Sequence, residues 1–191
     1  MHSQKHIEMN NFYKMTPQLG FGEAVKLASG RLVDFKGRSR RSEFWWWMML
    51  VLACNFVASL LLPSYTIAYA VALTLIMACG LSITVRRLHD TGPSGIWVYI
   101  SFALGIVTQF FTVFALGGFF TEYMEMLEFG TVPNTDDIME LMTPYIGRFL
   151  GYMGLSLLWG VSSLVVFIMV LMDGKAEPNK YGPSPKYVPE A

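Results

Sequence analysis

Four long runs of apolar residues alternate with short polar segments along the chain. The runs cover residues 44–62, 65–85, 96–120 and 145–172, and the one charged residue within them is Arg148. A helix needs about 20 apolar residues to cross the hydrocarbon core of a bilayer. A membrane β-barrel would instead alternate apolar and polar residues along each strand, and these runs are continuously apolar. The pattern therefore predicts an all-α membrane protein with a four-helix transmembrane domain over residues 37–172.

A shorter helix is predicted before the first run. Apolar residues recur there at spacings of 4, 3, 4 and 3, namely Phe21, Val25, Ala28, Leu32 and Phe35. This spacing places them on one face of an N-terminal amphipathic helix over residues 21–36. Such a helix lies in the plane of the inner leaflet or packs on the cytosolic ends of the spans, and the sequence leaves both placements open. Residues 1–20 are polar and without period, which is typical of a flexible cytosolic tail.

Composition supports the prediction of a membrane protein, and the distribution of charge predicts its orientation in the membrane. Charged residues make up 15% of the 191 residues, against roughly 25% in soluble domains. The formal net charge is zero, so the total indicates no nucleic-acid partner. Of the 14 Lys and Arg, 13 lie before the first run, between the second and third, or after the fourth. Because cytoplasmic loops are enriched in Lys and Arg, both termini are predicted to be cytoplasmic, including a C-terminal tail over residues 173–191.

The segment between the third and fourth runs, residues 121–144, is predicted as an acidic outer loop. Its acidic residues are Glu122, Glu125, Glu128, Asp136, Asp137 and Glu140. One interpretation is a surface for divalent cations or a cationic partner. The other is a helical lid with solvated acidic faces, because carboxylates at every third helical position form a stripe rather than a cage of six to eight oxygens. No metal site is predicted there.

Three charged or turn-forming segments fall on the predicted cytosolic side. Residues 35–47 place four cations before an aromatic cluster, residues 86–97 combine two arginines, a histidine and an aspartate with a Gly-Pro turn, and residues 179–185 are turn-forming. The tyrosine of the third segment is suited to fold back onto the other two. The candidate ligand-binding residues are Arg38, Arg40, Arg41, Glu43, Arg86, Arg87, His89, Asp90, Asn179 and Tyr181.

These side chains suit an anionic lipid headgroup or a protein partner, because guanidinium groups bind phosphate and carboxylate groups in a bidentate manner. A structural role in fixing the turn between the second and third spans is the competing interpretation. An enzyme acting on lipid headgroups through His89 and Asp90 is a third hypothesis. Metal catalysis is not expected, since His89 is the only histidine outside residues 1–20. The prediction is a non-enzymatic protein without catalytic residues or a cofactor.

Polar and small residues inside the spans suggest an alternative function and a further partner. Asn55 and Gln109 suit a small-molecule transporter or channel-like carrier, but such residues more commonly form hydrogen bonds between helices. No Asp, Glu or Lys lies in the middle of a span, which argues against an ion-coupled transporter. Small residues in the fourth span allow close approach of another helix, from the bundle or from a second copy. They are Gly147, Gly151, Gly154, Gly160 and Ser163.

Three motifs carry a resemblance to a known family. They are residues Phe35–Trp45, Arg87–Trp97 and Pro178–Pro185. In this order they resemble the signatures of the domain of unknown function 805 family, and the resemblance covers about residues 21–185. It implies a multi-pass protein of the bacterial inner (plasma) membrane with no established activity. The long acidic outer loop departs from the family pattern. We therefore expect a lipid- or protein-binding membrane module that acts through its cytosolic side.

Overall fold

The structure is a computed structural model that describes residues 13–63, 66–128 and 133–189. Its helices are α1 (Phe21–Ser29), α2 (Arg41–Leu61), α3 (Ile67–Thr91), α4 (Ile96–Phe111), α5 (Gly117–Glu128), α6 (Thr135–Met142) and α7 (Ile146–Leu171). A π-helical turn, Thr112–Leu116, joins α4 to α5, and a 3₁₀ turn, Thr143–Tyr145, joins α6 to α7. Two short strands, β1 (Tyr13–Met15) and β2 (Tyr187–Pro189), complete the fold.

Four continuous helical stretches are long and apolar enough to cross a membrane. They are Arg41–Leu61, Ile67–Thr91, Ile96–Glu128 and Thr135–Leu171. The prediction of a helical protein with four membrane-spanning helices is confirmed. The strands are a small exception to the all-α class, because β1 and β2 pair in an antiparallel sheet with Tyr13 opposite Pro189.

The helices extend beyond three of the predicted boundaries. Helix α3 continues for a further turn and a half past residue 85, through the charged residues, and ends where Gly92 adopts a left-handed conformation with φ of 111°. The third span continues through the π-helical turn into α5, and residues 135–142 form α6, so much of the predicted outer loop is helical. Hydropathy missed these extensions because charged residues are compatible with a helix wherever their side chains find partners. Residues 129–132 and Tyr65 lie outside the described residues.

The N-terminal helix is shorter than the predicted residues 21–36. Helix α1 ends at Ser29, with Gly30 as its C-cap, and residues 31–40 form a loop. The carbonyl groups of this loop accept hydrogen bonds from α3. In a continued helix the same carbonyl groups would be bonded within the helix. Ala24 and Ala28 are buried, and α1 packs against α2.

Both predicted tails contain ordered structure in their described parts. Residues 13–15 of the predicted tail 1–20 form β1, and the end of the predicted tail 173–191 forms β2. The amide of Thr16 also donates to the carbonyl of Lys186 at 2.9 Å. Periodicity cannot reveal this pairing, because it joins segments at opposite ends of the chain. Residues 1–12 and 190–191 lie outside the described residues.

The buried core lies toward one end of the bundle. Helix α3 packs against α2, α4 and α7, and is therefore central. The buried core residues come mostly from the first half of α2 and the last turns of α3, joined by single residues of α1, α4 and α7. They are Ala28, Phe44, Trp47, Val51, Ile83, Val85, Leu88, Val98 and Val170. We call this end, where α2 and α4 begin and α3 and α7 end, the charged end.

Candidate functional site

The predicted ligand-binding residues come together at the charged end. The side chains of five of them are at most 2% exposed, namely Arg38, Glu43, Arg86, Arg87 and Asp90. Burial of charged groups is costly unless each is paired and hydrogen-bonded. The geometry of the site is therefore governed by where each guanidinium group finds its acceptors.

Arg86 holds the loop that follows α1. Its Nη1 donates to the carbonyl of Arg31 at 2.8 Å and also to the carbonyl of Asp34. Its Nε donates to Ser39 Oγ at 2.9 Å, and Ser39 Oγ in turn donates to Glu43 Oε1 at 3.1 Å. The Glu43 carboxylate lies 3.5 Å from Arg86 Nη2 and supplies the opposite charge. A buried cation thus binds a loop that has left the helical hydrogen-bonding pattern.

Arg87 holds the end of α7. Its Nε donates to the carbonyl of Val170 at 3.1 Å, and its Nη2 donates to the carbonyl of Met172. The last four carbonyls of a helix have no partner within the helix, so a guanidinium from α3 satisfies groups that α7 leaves free. The Nη1 of Arg87 donates to Asp90 Oδ2 at 2.6 Å, one turn along the same helix.

Arg38 holds the segment that follows α7, residues 173–186. Its Nη1 donates to the carbonyl of Glu177 at 3.0 Å and of Gly182 at 3.4 Å, and its Nη2 donates to the carbonyl of Lys175. Its Nε donates to Asp90 Oδ1 at 2.8 Å. Asp90 therefore lies between Arg38 and Arg87 and is the shared counter-charge of both.

Gly174 is a residue of this site that the sequence analysis missed. A Cβ at position 174 would lie 1.9 Å from Asp90 Oδ2, so only glycine allows the chain to pass the carboxylate at this distance. The amide of Lys175 then donates to the carbonyl of Asp90 at 3.3 Å. The sequence indicated the role of Gly174 only weakly, because a single glycine after a span is also a common helix terminator.

His89 and Tyr181 stack face to face, as the turn-forming C-terminal motif led us to expect. Their ring centroids are 3.6 Å apart and the rings are within 7° of parallel. The Nδ1 of His89 lies 3.2 Å from the carbonyl of Gly37, and Asn179 Nδ2 donates to the carbonyl of His89 at 2.9 Å. Both rings are half-buried. One face of the His89 ring and its Nδ1 are thus in contact with the chain itself.

Arg40 and Arg41 lie at the edge of the site. Arg40 is buried, and its Nη1 donates to Thr16 Oγ1 at 2.9 Å, which anchors the segment after β1. Arg41 is 43% exposed, and its Nη1 donates to Asp173 Oδ1 at 2.9 Å. This bond from Arg41 is the main reason why the pKa of Asp173 lies below its ordinary value. Of the eight Arg, Asp and Glu side chains described so far, only those of Arg41 and Asp173 are open to solvent.

Asp34 forms hydrogen bonds within the loop to which Arg86 donates. The amide of Lys36 and the Nε of Arg31 each donate to the Asp34 carboxylate at 3.0 Å. The backbone bond from Lys36 contributes most, and the bond from Arg31 next, to a pKa of Asp34 below its ordinary value. The loop therefore presents carbonyl groups of fixed position to Arg86.

Asn55, Gln109 and two serines are the polar residues of the spans to which the sequence analysis drew attention or which join helices. Asn55 Nδ2 donates to the carbonyl of Val51 in its own helix at 3.1 Å, and its Oδ1 has no hydrogen-bond partner within the described residues. Gln109 is half-buried on α4. Ser101 on α4 and Ser163 on α7 are joined by a hydrogen bond of 2.8 Å, a contact between helices of the kind expected for small residues. In residues 13–63, 66–128 and 133–189, no group of three His, Cys, Asp or Glu is placed to hold a metal ion.

A family model described as "Protein of unknown function (DUF805)" matches residues 32–183. The chain belongs to this family. The DUF805 match runs from the end of α1 to the segment after α7, and so includes every arginine of the site. The resemblance seen in the three motifs is thereby confirmed.

Two relatives are similar to part of the chain. "Inner membrane protein YhaI" of Escherichia coli (strain K12) and the protein of the same name from Escherichia coli O157:H7 are each 32% identical to the chain over 77 residues. The aligned part is 37% of this chain and 63% of each relative, so the chain covers less than two thirds of either. No solved structure matches. The relatives are named as inner-membrane proteins, and the four long apolar helices of this DUF805 chain are consistent with a multi-pass membrane protein.

Proposed function

We propose that this DUF805 protein is a non-enzymatic membrane module that binds acidic lipid headgroups or an acidic protein partner through the rim of its charged end, which faces the cytosol. The observation that carries the proposal is that the cations fall into two groups, one buried and paired within the chain and one exposed. The interior arginines donate to backbone carbonyls and carboxylates of the same chain, and a separate set of cations remains exposed around them.

The exposed cations form the surface that we call the basic rim. They are Lys14, Lys26, Lys36, Arg41, Lys175 and Lys180. Each Lys or Arg near an anionic membrane surface gains on the order of 1 kcal/mol. Apolar side chains are exposed next to the rim, including Phe21 and Leu27 of α1 and Val33 of the following loop. Cations beside exposed apolar groups are the combination that favours the boundary between lipid headgroups and acyl chains.

The proposed orientation rests on the distribution of cations. Within residues 13–63, 66–128 and 133–189, twelve of the 13 Lys and Arg belong to the segments at the charged end, and Arg148 belongs to the other. The excess of Lys and Arg in cytoplasmic segments is the best-established rule of membrane topology. In this orientation the basic rim faces the acidic inner leaflet, and both termini are cytoplasmic.

The interior of the site favours a non-enzymatic role. Arg38, Arg86 and Arg87 have no exposed guanidinium surface with which to bind a substrate phosphate. His89 is covered on one face by Tyr181. A general acid or base must reach the proton it transfers, directly or through one water molecule. These contacts favour a role for the three motifs in building the rim rather than in catalysis.

The test is to remove the positive charge of the rim while leaving the interior unchanged. In the rim variant, Lys26, Lys36, Lys175 and Lys180 are replaced by Gln, and the matched control carries Arg at the same four positions. Native mass spectrometry after detergent extraction measures phosphatidylglycerol retained by each protein. We expect at least a tenfold loss of retention in the Gln variant and none in the Arg control, with unchanged thermal unfolding midpoints. Equal retention in all three proteins would reject lipid binding by the rim.

Binding of an acidic protein partner, the second alternative of the proposal, is tested with the same three proteins. Photocrosslinking in cells from position 177, which is exposed between the substituted lysines, is expected to capture lipid or a specific protein in the parent and the Arg control. The Gln variant is expected to lose that product. A product that persists in the Gln variant would show that the partner does not recognise the charge.

A further inference from the structure

An open groove runs along α4 and α7 at the end of the bundle opposite the charged end. Its volume is about 740 Å³, within the roughly 300–1,000 Å³ typical of ligand sites. Ile106, Phe110 and Phe114 line it with apolar surface, and Arg148 lies beside Ala115 at its end. The groove is therefore apolar along its length and carries a single positive charge.

The backbone around the groove is irregular in a way that shapes it. The turn Thr112–Leu116 is π-helical, and a single π-turn inside a helix is often found at functional sites. Opposite it, Gly151 of α7 lets Phe111 approach, because a Cβ at position 151 would lie 3.2 Å from Phe111 Cζ. The π-helical turn and the lack of a side chain at Gly151 together determine how far apart α4 and α7 lie beside the groove.

Arg148 is an exposed cation without an acidic partner. Its Nη1 donates to the carbonyl of Ala115 at 3.3 Å, and its guanidinium lies 5.0 Å from the ring centroid of Tyr145. Throughout the part of the chain that the structure describes, it forms no salt bridge. The nearby carboxylate of Glu122 accepts a hydrogen bond from the Tyr145 hydroxyl instead. Arg148 thus has donors left for an anion from outside the chain.

The dimensions of the groove match one leaflet of a bilayer. From Ile106 to Ala115 the chain rises by about 14 Å at 1.5 Å per residue, close to half of the roughly 30 Å hydrocarbon core. Arg148 lies in the first turn of α7, about 35 Å along the helix from its end at Leu171. A hydrocarbon core of roughly 30 Å that begins at the charged end would therefore end near Arg148, where a headgroup would lie. An acyl chain lying along the phenylalanine rings would therefore bring its headgroup to Arg148.

We propose that this groove binds one phospholipid with an acidic headgroup, its acyl chain against Phe110 and Phe114 and its phosphate paired with Arg148. The site is separate from the basic rim and lies in the opposite leaflet. The six acidic residues of segment 121–144 disfavour free anions at this end, so the acyl chain is needed to hold the headgroup in place.

The test compares phosphatidylglycerol with phosphatidylcholine of identical chains by native mass spectrometry. Both lipids carry a phosphate, but the choline cation of phosphatidylcholine neutralises it and competes with Arg148 for it. It is performed in the Gln rim variant, so that lipid bound at the charged end does not contribute. We expect retention of one phosphatidylglycerol, and a loss of the preference over phosphatidylcholine by about tenfold in Arg148→Gln, as for a lost hydrogen bond to a charged group. Arg148→Lys is expected to keep most of the preference. An unchanged preference in Arg148→Gln would overturn the proposed pairing.

A second pair of variants tests the groove itself. Val107 lines the groove, so Val107→Trp is expected to fill it and abolish retention of both lipids. Leu157→Trp is the matched control, since Leu157 is 68% exposed on α7 away from the groove lining. Glycerol phosphate, which has the headgroup without the chain, is expected not to displace the lipid. Retention in Val107→Trp, or displacement by glycerol phosphate, would overturn the placement of the acyl chain.

Discussion

At the scale of single residues, the charged motifs act as hydrogen-bond donors to the backbone. Arg38, Arg86 and Arg87 each contact carbonyl groups of a different segment, and each also contacts a buried carboxylate. A lysine could not replace them, because the guanidinium presents five donors in a planar fork and an ammonium presents three around one point. Arginine in these motifs is therefore required by geometry as well as by charge.

The first prediction at this scale concerns Asp90, the counter-charge shared by Arg38 and Arg87. In Asp90→Asn, two buried guanidinium groups lose their anion while the side-chain volume is kept. Breaking a buried ion pair typically costs about 3–5 kcal/mol. We expect a large decrease in the thermal unfolding midpoint of the protein in detergent, or a failure to accumulate in the membrane.

Asp173→Asn is the matched control for this prediction. Asp173 is also paired with an arginine, Arg41, but its side chain is 67% exposed. An exposed ion pair contributes little, so the midpoint is expected to change only slightly. Equal shifts in the two variants would contradict the view that burial makes Asp90 important.

At the scale of elements, the helices could be predicted and their ends could not. Long apolar runs predicted all four spans, because the bilayer imposes a minimum length on any helix that crosses it. Helix α3 continues past residue 85 because Arg86 and Arg87 are inside the protein, where partners from other segments satisfy them. Residues 31–36 were predicted as helix because Leu32 and Phe35 keep the helical spacing, whereas the helix ends at Ser29.

The C-terminal segment offers a prediction at this scale. In Gly174→Ala the added Cβ would collide with Asp90 Oδ2, so the segment after α7 is expected to lift away from Arg38. Trypsin cleavage after Lys175 and Lys180 should then become faster by an order of magnitude or more. Gly154→Ala is the control, since no atom lies within 4 Å of a Cβ at position 154, and it should leave cleavage unchanged. Equal cleavage in both variants would show that the close approach is not needed.

At the scale of the whole molecule, the charged end joins segments that are far apart in the sequence. The loop after α1, the end of α3, the end of α7 and the C-terminal segment meet around three arginines. The sequence predicted that these residues gather on one side of the membrane, because charge is excluded from the spans. It could not predict that most of them are buried, because their partners are backbone carbonyls, which every residue has and no motif marks.

The last prediction concerns the direction of the whole bundle. In a chain with Cys54→Ala and Cys79→Ala, a single cysteine is introduced as Asp136→Cys in α6 or as Lys175→Cys beside the charged end. Both positions are exposed, and Asp136 can be replaced because the Asn134 side chain still caps α6 through the amide of Asp137. The excess of cations at the charged end predicts that a membrane-impermeant maleimide labels position 136 in intact spheroplasts and position 175 only after permeabilisation. Labelling of position 175 alone in intact spheroplasts would show that the orientation is the reverse of the predicted one. It would place the basic rim in the outer leaflet and the groove beside Arg148 in the inner one.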